Sequence, residues 1–434
     1  QRLPSYFLQD ENPTPGDFQL AFLAQKEFVI DGQLDWEKLY RGNSISTATG
    51  GNSIYAIQED RIDATQFTIN TIFDTRISEN ILLNGSLNYR SNKGDYFAML
   101  KDLLGGTGFL DVDFFAEDED GGYNTILGDV AQSDLRNRNR IVTEEERYKY
   151  NYEIIANSIS GFAQSQFKYN KIDFFLGLSV SNTNYQRNGL YENGNYPGDR
   201  SFGKSEKLSF TDFGIKGGLT YKFTGRHLVN ANFAYITKAP TIRNSFSNAR
   251  VTNDVIIGLE SEKIQSVNIG YIYRSPIIKG RLTGYYLNFK EGNDLGFYYT
   301  ENISGIGIEQ DAFIQEVLTH VEKQNIGVEI GVEAQITPTL RLKGVASLGQ
   351  YIYNNNPNLY ITSDDFDEPL SFGDGTSKLK NYHVAGGPEH AYQLGFDYRD
   401  PKFWWVGFST NYYTNAYLDV NNLARSDNFN LDYD

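Results

Sequence analysis

Apolar and polar residues alternate along much of this chain with a period of two, the repeat of a β-strand whose two faces meet different surroundings. From Thr211 the apolar set runs Phe213, Ile215, Gly217, Leu219, Tyr221 and Phe223, with Gly214, Lys216, Gly218, Thr220 and Lys222 between them. A short turn, Thr224-Gly225-Arg226-His227, leads into Val229, Ala231, Phe233 and Tyr235. The same pattern runs from Phe67 to Phe73, turns at Ser78-Glu79-Asn80 and returns as Leu83, Gly85, Leu87 and Tyr89. Ile159 to Tyr169 turns near Asn170-Lys171 into Phe174, Leu176, Leu178 and Val180. Val267 to Tyr273 turns at Arg274-Ser275-Pro276 into residues 281–289, and Ile326 to Ile336 turns at Thr337-Pro338-Thr339 into Leu340 to Leu348. Residues 391–399 turn at Asp400-Pro401 into Phe403 to Tyr413. The pattern predicts hairpins amounting to about a dozen antiparallel strands.

The connections are lopsided. One set is short; the other, at 92–146, 187–205, 238–262, 290–320 and 352–386, is long and rich in Gly, Asn and Asp. Short turns at one end and long loops at the other are the arrangement of a bacterial outer-membrane β-barrel, with periplasmic turns and extracellular loops. Several apolar/polar runs continue well past the roughly 9–11 residues that cross a bilayer. Tyr221, Phe223, Tyr271, Tyr273, Phe403, Trp404 and Trp405 flank the short turns, where an aromatic girdle belongs. The fold expected is therefore all-β: a transmembrane antiparallel up-and-down barrel with long extracellular loops.

Composition agrees with this picture. The 434 residues include 31 Tyr and 29 Phe, yet the mean hydropathy is polar at −0.48. A lipid-facing belt around a wet lumen combines the two. No run of 18 or more apolar residues occurs, so a helical membrane span is excluded. The chain has no Cys, which removes disulfides and thiolate metal sites, and a net charge of −16 argues against nucleic acid as a partner.

No catalytic constellation emerges. His227, His320, His383 and His390 lack metal-ligand spacing, no nucleophile elbow occurs, and Gly373 to Lys378 lacks the Gly-Lys pair of a phosphate loop. An enzyme is not expected. Two acidic loops could hold Ca²⁺: Asp111, Asp113, Glu117, Asp118, Glu119 and Asp120, and Asp364, Asp365, Asp367, Glu368 and Asp374. Neither has EF-hand spacing, and a solvated acidic cell-surface loop is the commoner use of such residues. Arg136, Arg138 and Arg140 could hold an anionic substrate if they face the lumen. The competing assignment ties them to Asp129, Asp134 and Glu144 within their own loop. Tyr185, Tyr191, Tyr196, Phe297, Tyr298, Tyr299 and Tyr360 could stack on sugars or peptides, although loop packing is the usual role of such rings. With Pro338 centring its turn, Glu333 lies opposite Lys343 and Gln335 opposite Arg341, and a Glu333–Lys343 ion pair in the lumen is expected.

The chain also resembles the barrel of TonB-dependent receptors, in particular the Bacteroidota branch that carries a carboxypeptidase-regulatory-like domain before the plug. The resemblance rests on Arg2 to Phe7, Leu103-Leu104-Gly105-Gly106 followed by Leu110 to Asp113, and Ser201 to Glu206. It continues through Lys238-Ala239-Pro240-Thr241, Asn325-Ile326-Gly327-Val328-Glu329, and Tyr392 to Trp405. It implies a barrel of about 22 strands closed by a plug, energised by the TonB complex, that imports a glycan, peptide or metal chelate through the outer membrane. Neither a plug nor a TonB box is found, and Asn430 to Asp434 is not a closing strand ending in an aromatic. The whole chain is therefore expected to be part of one barrel domain, with a loop-rich lead-in over 1–52, strands and loops over 53–420 and a loop over 421–434. A surface lipoprotein, membrane lipid and lipopolysaccharide are the further partners such loops and such a wall would suit. A passive porin, or a structural or secretion-associated barrel that binds surface lipoproteins, shares the same pattern.

Overall fold

The computed structural model describes residues 8, 13–30, 34–114, 116, 128–300, 312–363 and 368–427. Two α-helices, α1 (Pro15–Ile30) and α2 (Trp36–Ala48), precede the strands. These are β1 (Ile57–Ser78), β2 (Ile81–Asp102), β3 (Phe109–Leu110), β4 (Ile141–Val142), β5 (Arg147–Lys168), β6 (Ile172–Gly189), β7 (Gly203–Lys204) and β8 (Leu208–Lys222). Then come β9 (His227–Lys238), β10 (Glu262–Arg274), β11 (Ile278–Thr300), β12 (Ala312–Gln335), β13 (Leu340–Tyr353), β14 (Asn358–Thr362), β15 (Pro388–Arg399) and β16 (Trp405–Ala416). The chain divides into two compact units, one of 1–62, 96–151 and 191–194, the other of 63–95, 152–190 and 195–434.

Fourteen strands make one sheet in the order β1-β2-β5-β6-β8-β9-β10-β11-β12-β13-β15-β16, with β7 added to β6 and β14 to β12. Every hairpin read from the alternation is present, and its turns fall where Gly, Pro, Asn, Asp and Ser interrupt the pattern. No pairing joins β1 to β16 among the described residues, so closure and a strand count of 22 are not part of this sheet.

The register shows why alternation specifies this fold. Tyr221 lies opposite Val229, Val229 opposite Tyr271, Tyr271 opposite Leu282 and Leu282 opposite Ile330. The row continues through Ala346, Tyr392 and Tyr412. A slip of one residue anywhere along it would turn apolar side chains onto the polar face. These side chains are outward and open, with Ile330 45% and Tyr412 65% exposed, as befits a surface whose solvent is lipid.

The strands exceed what a bilayer needs. β12 has 24 residues, against about 10 for a crossing. The loop expected over 290–320 is correspondingly shorter, since β11 runs to Thr300 and β12 starts at Ala312. Its backbone stays in the ladder because Ile314, Leu318 and Val321 bury themselves against Leu359 and Ile361 of β14, Leu379 and Leu423. β2 likewise extends to Asp102, inside the loop expected from residue 92.

A loop-rich lead-in over 1–52 is corrected by α1 and α2. Asp35 caps α2, its carboxylate accepting from the Lys38 amide at 3.0 Å. Asn43 of α2 is fully buried and donates to the Tyr55 and Leu103 carbonyls at 2.8 and 2.7 Å.

Candidate functional site

The polar face of the sheet is where solute chemistry could occur. Near the short turn at 336–339, the Asp397 carboxylate accepts from Arg341 at 3.1 Å and from Lys343 at 2.5 Å. Glu333 takes Arg341 at 3.4 Å and Lys279 at 3.7 Å. Glu333 and Lys343 do stand opposite one another in the β12–β13 ladder. The ion pair expected between them is corrected, because Lys343 reaches across to β15 and Glu333 pairs with its diagonal neighbour Arg341. Long side chains reach diagonal partners readily on a twisted sheet.

Further along the same face, Asn232 donates to Asn268 at 2.9 Å and the Tyr285 and Tyr351 hydroxyls meet at 2.9 Å. Those two rings lie over a glycine pair. Gly327 and Gly349 face each other in the ladder, and a Cβ on Gly349 would sit 2.7 Å from the Tyr351 hydroxyl. This is the setting of the Asn325-Ile326-Gly327-Val328-Glu329 stretch.

The arginine series is built into its loop. Arg138 pairs with Asp129 at 2.6 Å, and the Arg136 amide donates to Asp134 at 3.2 Å. Arg140 donates to Asp111 at 2.8 Å, to the Tyr191 hydroxyl at 2.9 Å and to the Arg147 carbonyl. Tyr191 in turn donates to the Arg147 carbonyl at 2.9 Å, and burial pushes its phenol pKa up. Arg140 and Tyr191 thus hold the loop together, and a substrate role is not carried by their geometry. Asp111 is occupied as well, since its second oxygen accepts from the Lys149 amide at 2.8 Å. Each of its oxygens thus accepts one hydrogen bond within the protein. The Asp113 amide donates to the Ala131 carbonyl. Asp118, Asp120, Asp364, Asp365 and Asp367 lie outside the described residues. Tyr185 points to the polar face and packs on Phe210 with ring centres 6.0 Å apart, beside the buried Asp212.

Three polar clusters, two of them buried, were not legible from the sequence pattern. Arg187, 2% exposed, donates to the Ala249 carbonyl at 2.7 Å, the Ser201 carbonyl at 2.8 Å and Asn253 Oδ1 at 2.6 Å, and lies over the Tyr152 ring. The Asn253 side-chain amide donates to the Asp199 carbonyl at 2.7 Å. These contacts fix the connections 190–207 and 239–261 onto the end of β6. Glu389 is buried and accepts from the Tyr351 amide at 2.6 Å, and it meets His383 Nδ1 at 2.8 Å while His383 stacks on Tyr417. At a register shift between β11 and β12, Glu291 and His320 both adopt left-handed backbone, with φ of 56° each, and their side chains touch. The break at Glu291-Gly292-Asn293 was the one available signal for this bulge.

A sheet with a lipid-facing apolar side, a charged inner side and long strands rising into buried loop packing fits the wall of an outer-membrane β-barrel. The chain belongs to the family described as TonB dependent receptor-like, beta-barrel, which matches residues 4–433. This family consists of receptors and transporters rather than enzymes, and it places the chain in the outer membrane of Gram-negative bacteria. Among solved structures the chain is similar to one described as copper transporter OprC, with a TM-score of 0.53 and 12% identity, covering 81% of this chain and 44% of that one. It is also similar to the FrpB iron transporter from Neisseria meningitidis, with a TM-score of 0.50 and 14% identity, covering 82% and 44%. The chain therefore spans less than half the length of these structures. No curated protein sequence matches it.

Proposed function

We propose that this chain forms part of the barrel wall of an active importer, energised through the TonB complex, that takes up a nutrient too large for porins. A glycan, a peptide or a metal chelate is the class of cargo. The observation that carries this is the family match over residues 4–433, joined to the charged inner face on β11–β15 that a cargo or a lumen element would meet. Transporters of copper and iron stand among the structural neighbours, which supports import as the activity without selecting a cargo. The sequence stretches that resemble the Bacteroidota branch support a regulatory-like domain ahead of the plug. Long strands that carry the loops clear of the membrane suit a surface lipoprotein as an additional partner.

The test uses the full-length gene. Its deletion should abolish growth on the cognate nutrient at limiting concentration, and complementation should restore growth only where TonB is intact. Uptake that persists without TonB would transfer the chain to the passive porins. A stoichiometric surface lipoprotein with no transported nutrient would make it a structural barrel.

A further inference from the structure

In one depression on the inner face the lining cations outnumber the lining acids. β10 ends on Arg274, and Lys279, the second residue of β11, lies directly opposite. One row further from the turn, Arg281 lies opposite Gly331, Gly331 opposite Val345, and Val345 opposite Gln393. Together with Glu333 and Lys343, these residues line a depression of about 420 Å³. Its floor is open at Gly331, where an added Cβ would meet no atom within 4 Å.

The charges do not cancel. Lys343 is committed to Asp397 at 2.5 Å, and Glu333, the one acid in the lining, is shared between Arg341 and Lys279. Arg281 uses only its Nε, donating to Thr283 at 3.1 Å. The terminal nitrogens of Arg281 and the guanidinium of Arg274 have no protein partner among the described residues. Two free guanidinium forks and a flanking ammonium thus converge on one concavity, in a chain whose net charge is −16. A guanidinium fork matches the two oxygens of a carboxylate, which a lone ammonium does not.

We propose that this depression is a carboxylate-docking site on the lumen wall near the periplasmic turns, with Arg274 and Arg281 as the forked donors and Lys279 as the flanking charge. The carboxylate could belong to a solute in the lumen or to an acidic side chain of a polypeptide element seated there. The inference rests on the barrel and not on import, so a receptor that fails every uptake assay still tests it.

The experiment takes the full-length receptor in detergent at low ionic strength, with citrate as the probe in titration calorimetry. Saturable binding is expected, weakened at least tenfold in an Arg274→Gln/Arg281→Gln double variant and unaffected in Arg226→Gln, which alters a turn residue outside the depression. In a second arm, Gly331→p-benzoylphenylalanine in membranes is photo-activated with and without the double substitution. A cross-link to an acidic polypeptide segment that disappears in the double variant, with no citrate binding in the parent, assigns the site to a protein carboxylate. Citrate binding unchanged by the double substitution overturns the proposal. So does the absence of citrate binding together with cross-links indifferent to the two arginines.

Discussion

Arg187 and Asn253 form a buried pair in which the guanidinium Nη1 donates to the amide oxygen at 2.6 Å. The remaining partners of Arg187 are main-chain carbonyls and the Tyr152 ring, and burial draws its pKa down to about 10. A cation held by neutral acceptors positions those acceptors tightly, because each would be left unpaired without it. Arg187→Met should therefore cost about 1–3 kcal/mol, the range for leaving a buried acceptor without its donor. Hydrogen exchange is the measurement: protection at 198–205 and 248–254 should fall together. Loss confined to one of the two segments would show that they are held separately.

The inner ion network makes a sharper distinction between register and contact. Double-mutant cycles on the thermal stability of the full-length receptor should give a coupling of about 0.5–1 kcal/mol for Lys343 with Asp397, since both are partly open to solvent. The cycle for Glu333 with Lys343, which are neighbours in the ladder but not ion-paired, should give close to zero. Equal couplings would restore the opposed pair that the sequence suggested.

Gly349 is constrained by one ring. Each near neighbour of a Cβ placed there is a Tyr351 side-chain atom, at 2.7 to 2.8 Å. Gly349→Ala should destabilise by about 1–3 kcal/mol, the usual result of overpacking. Tyr351→Ala should remove most of that penalty in the double variant. If the two effects simply add in chemical denaturation, the ring is not the obstacle.

One loop has a defined acid limit. Donation from Lys378 and Thr376 holds the Asp374 carboxyl down to about 2, from an ordinary 3.8. A carboxylate whose folded pKa is depressed contributes stability above the unfolded value and loses it as pH falls through the folded one. Local protection around 374–378 should thus hold at pH 5 and decline between about pH 4 and pH 2. Asp374→Asn should make the segment insensitive to pH across that window, as read by hydrogen exchange corrected for its intrinsic pH dependence.

What the sequence made legible follows from the range over which its signals act. Strand pairing within a hairpin depends on two adjacent runs and the turn between them, so the Thr337-Pro338-Thr339 turn was enough to place Glu333 opposite Lys343. The partners of those charges depend on the neighbouring strand, and Asp397 is 56 residues beyond Arg341. Arg187 was invisible for the same reason, with acceptors 62 and 66 residues away in connections that carry no periodicity. Arg140 lay among the residues singled out, yet its partners Asp111 and Tyr191 gave it an internal role. The capping signal at Asp35 was present, but without an apolar stripe at helical spacing it did not stand out from a loop.

β11 and β12 have 23 and 24 residues, of which a bilayer uses about 10 each. At about 3.3 Å per residue and a tilt near 45°, the remainder lifts the loops by roughly 30 Å. The loops therefore stand on a stiff hydrogen-bonded rim, well separated from the lipid-facing row. Substitutions in the rim and its loops leave untouched the alternation that inserts the wall, so surface chemistry and membrane anchorage are set by separate stretches of the same strands.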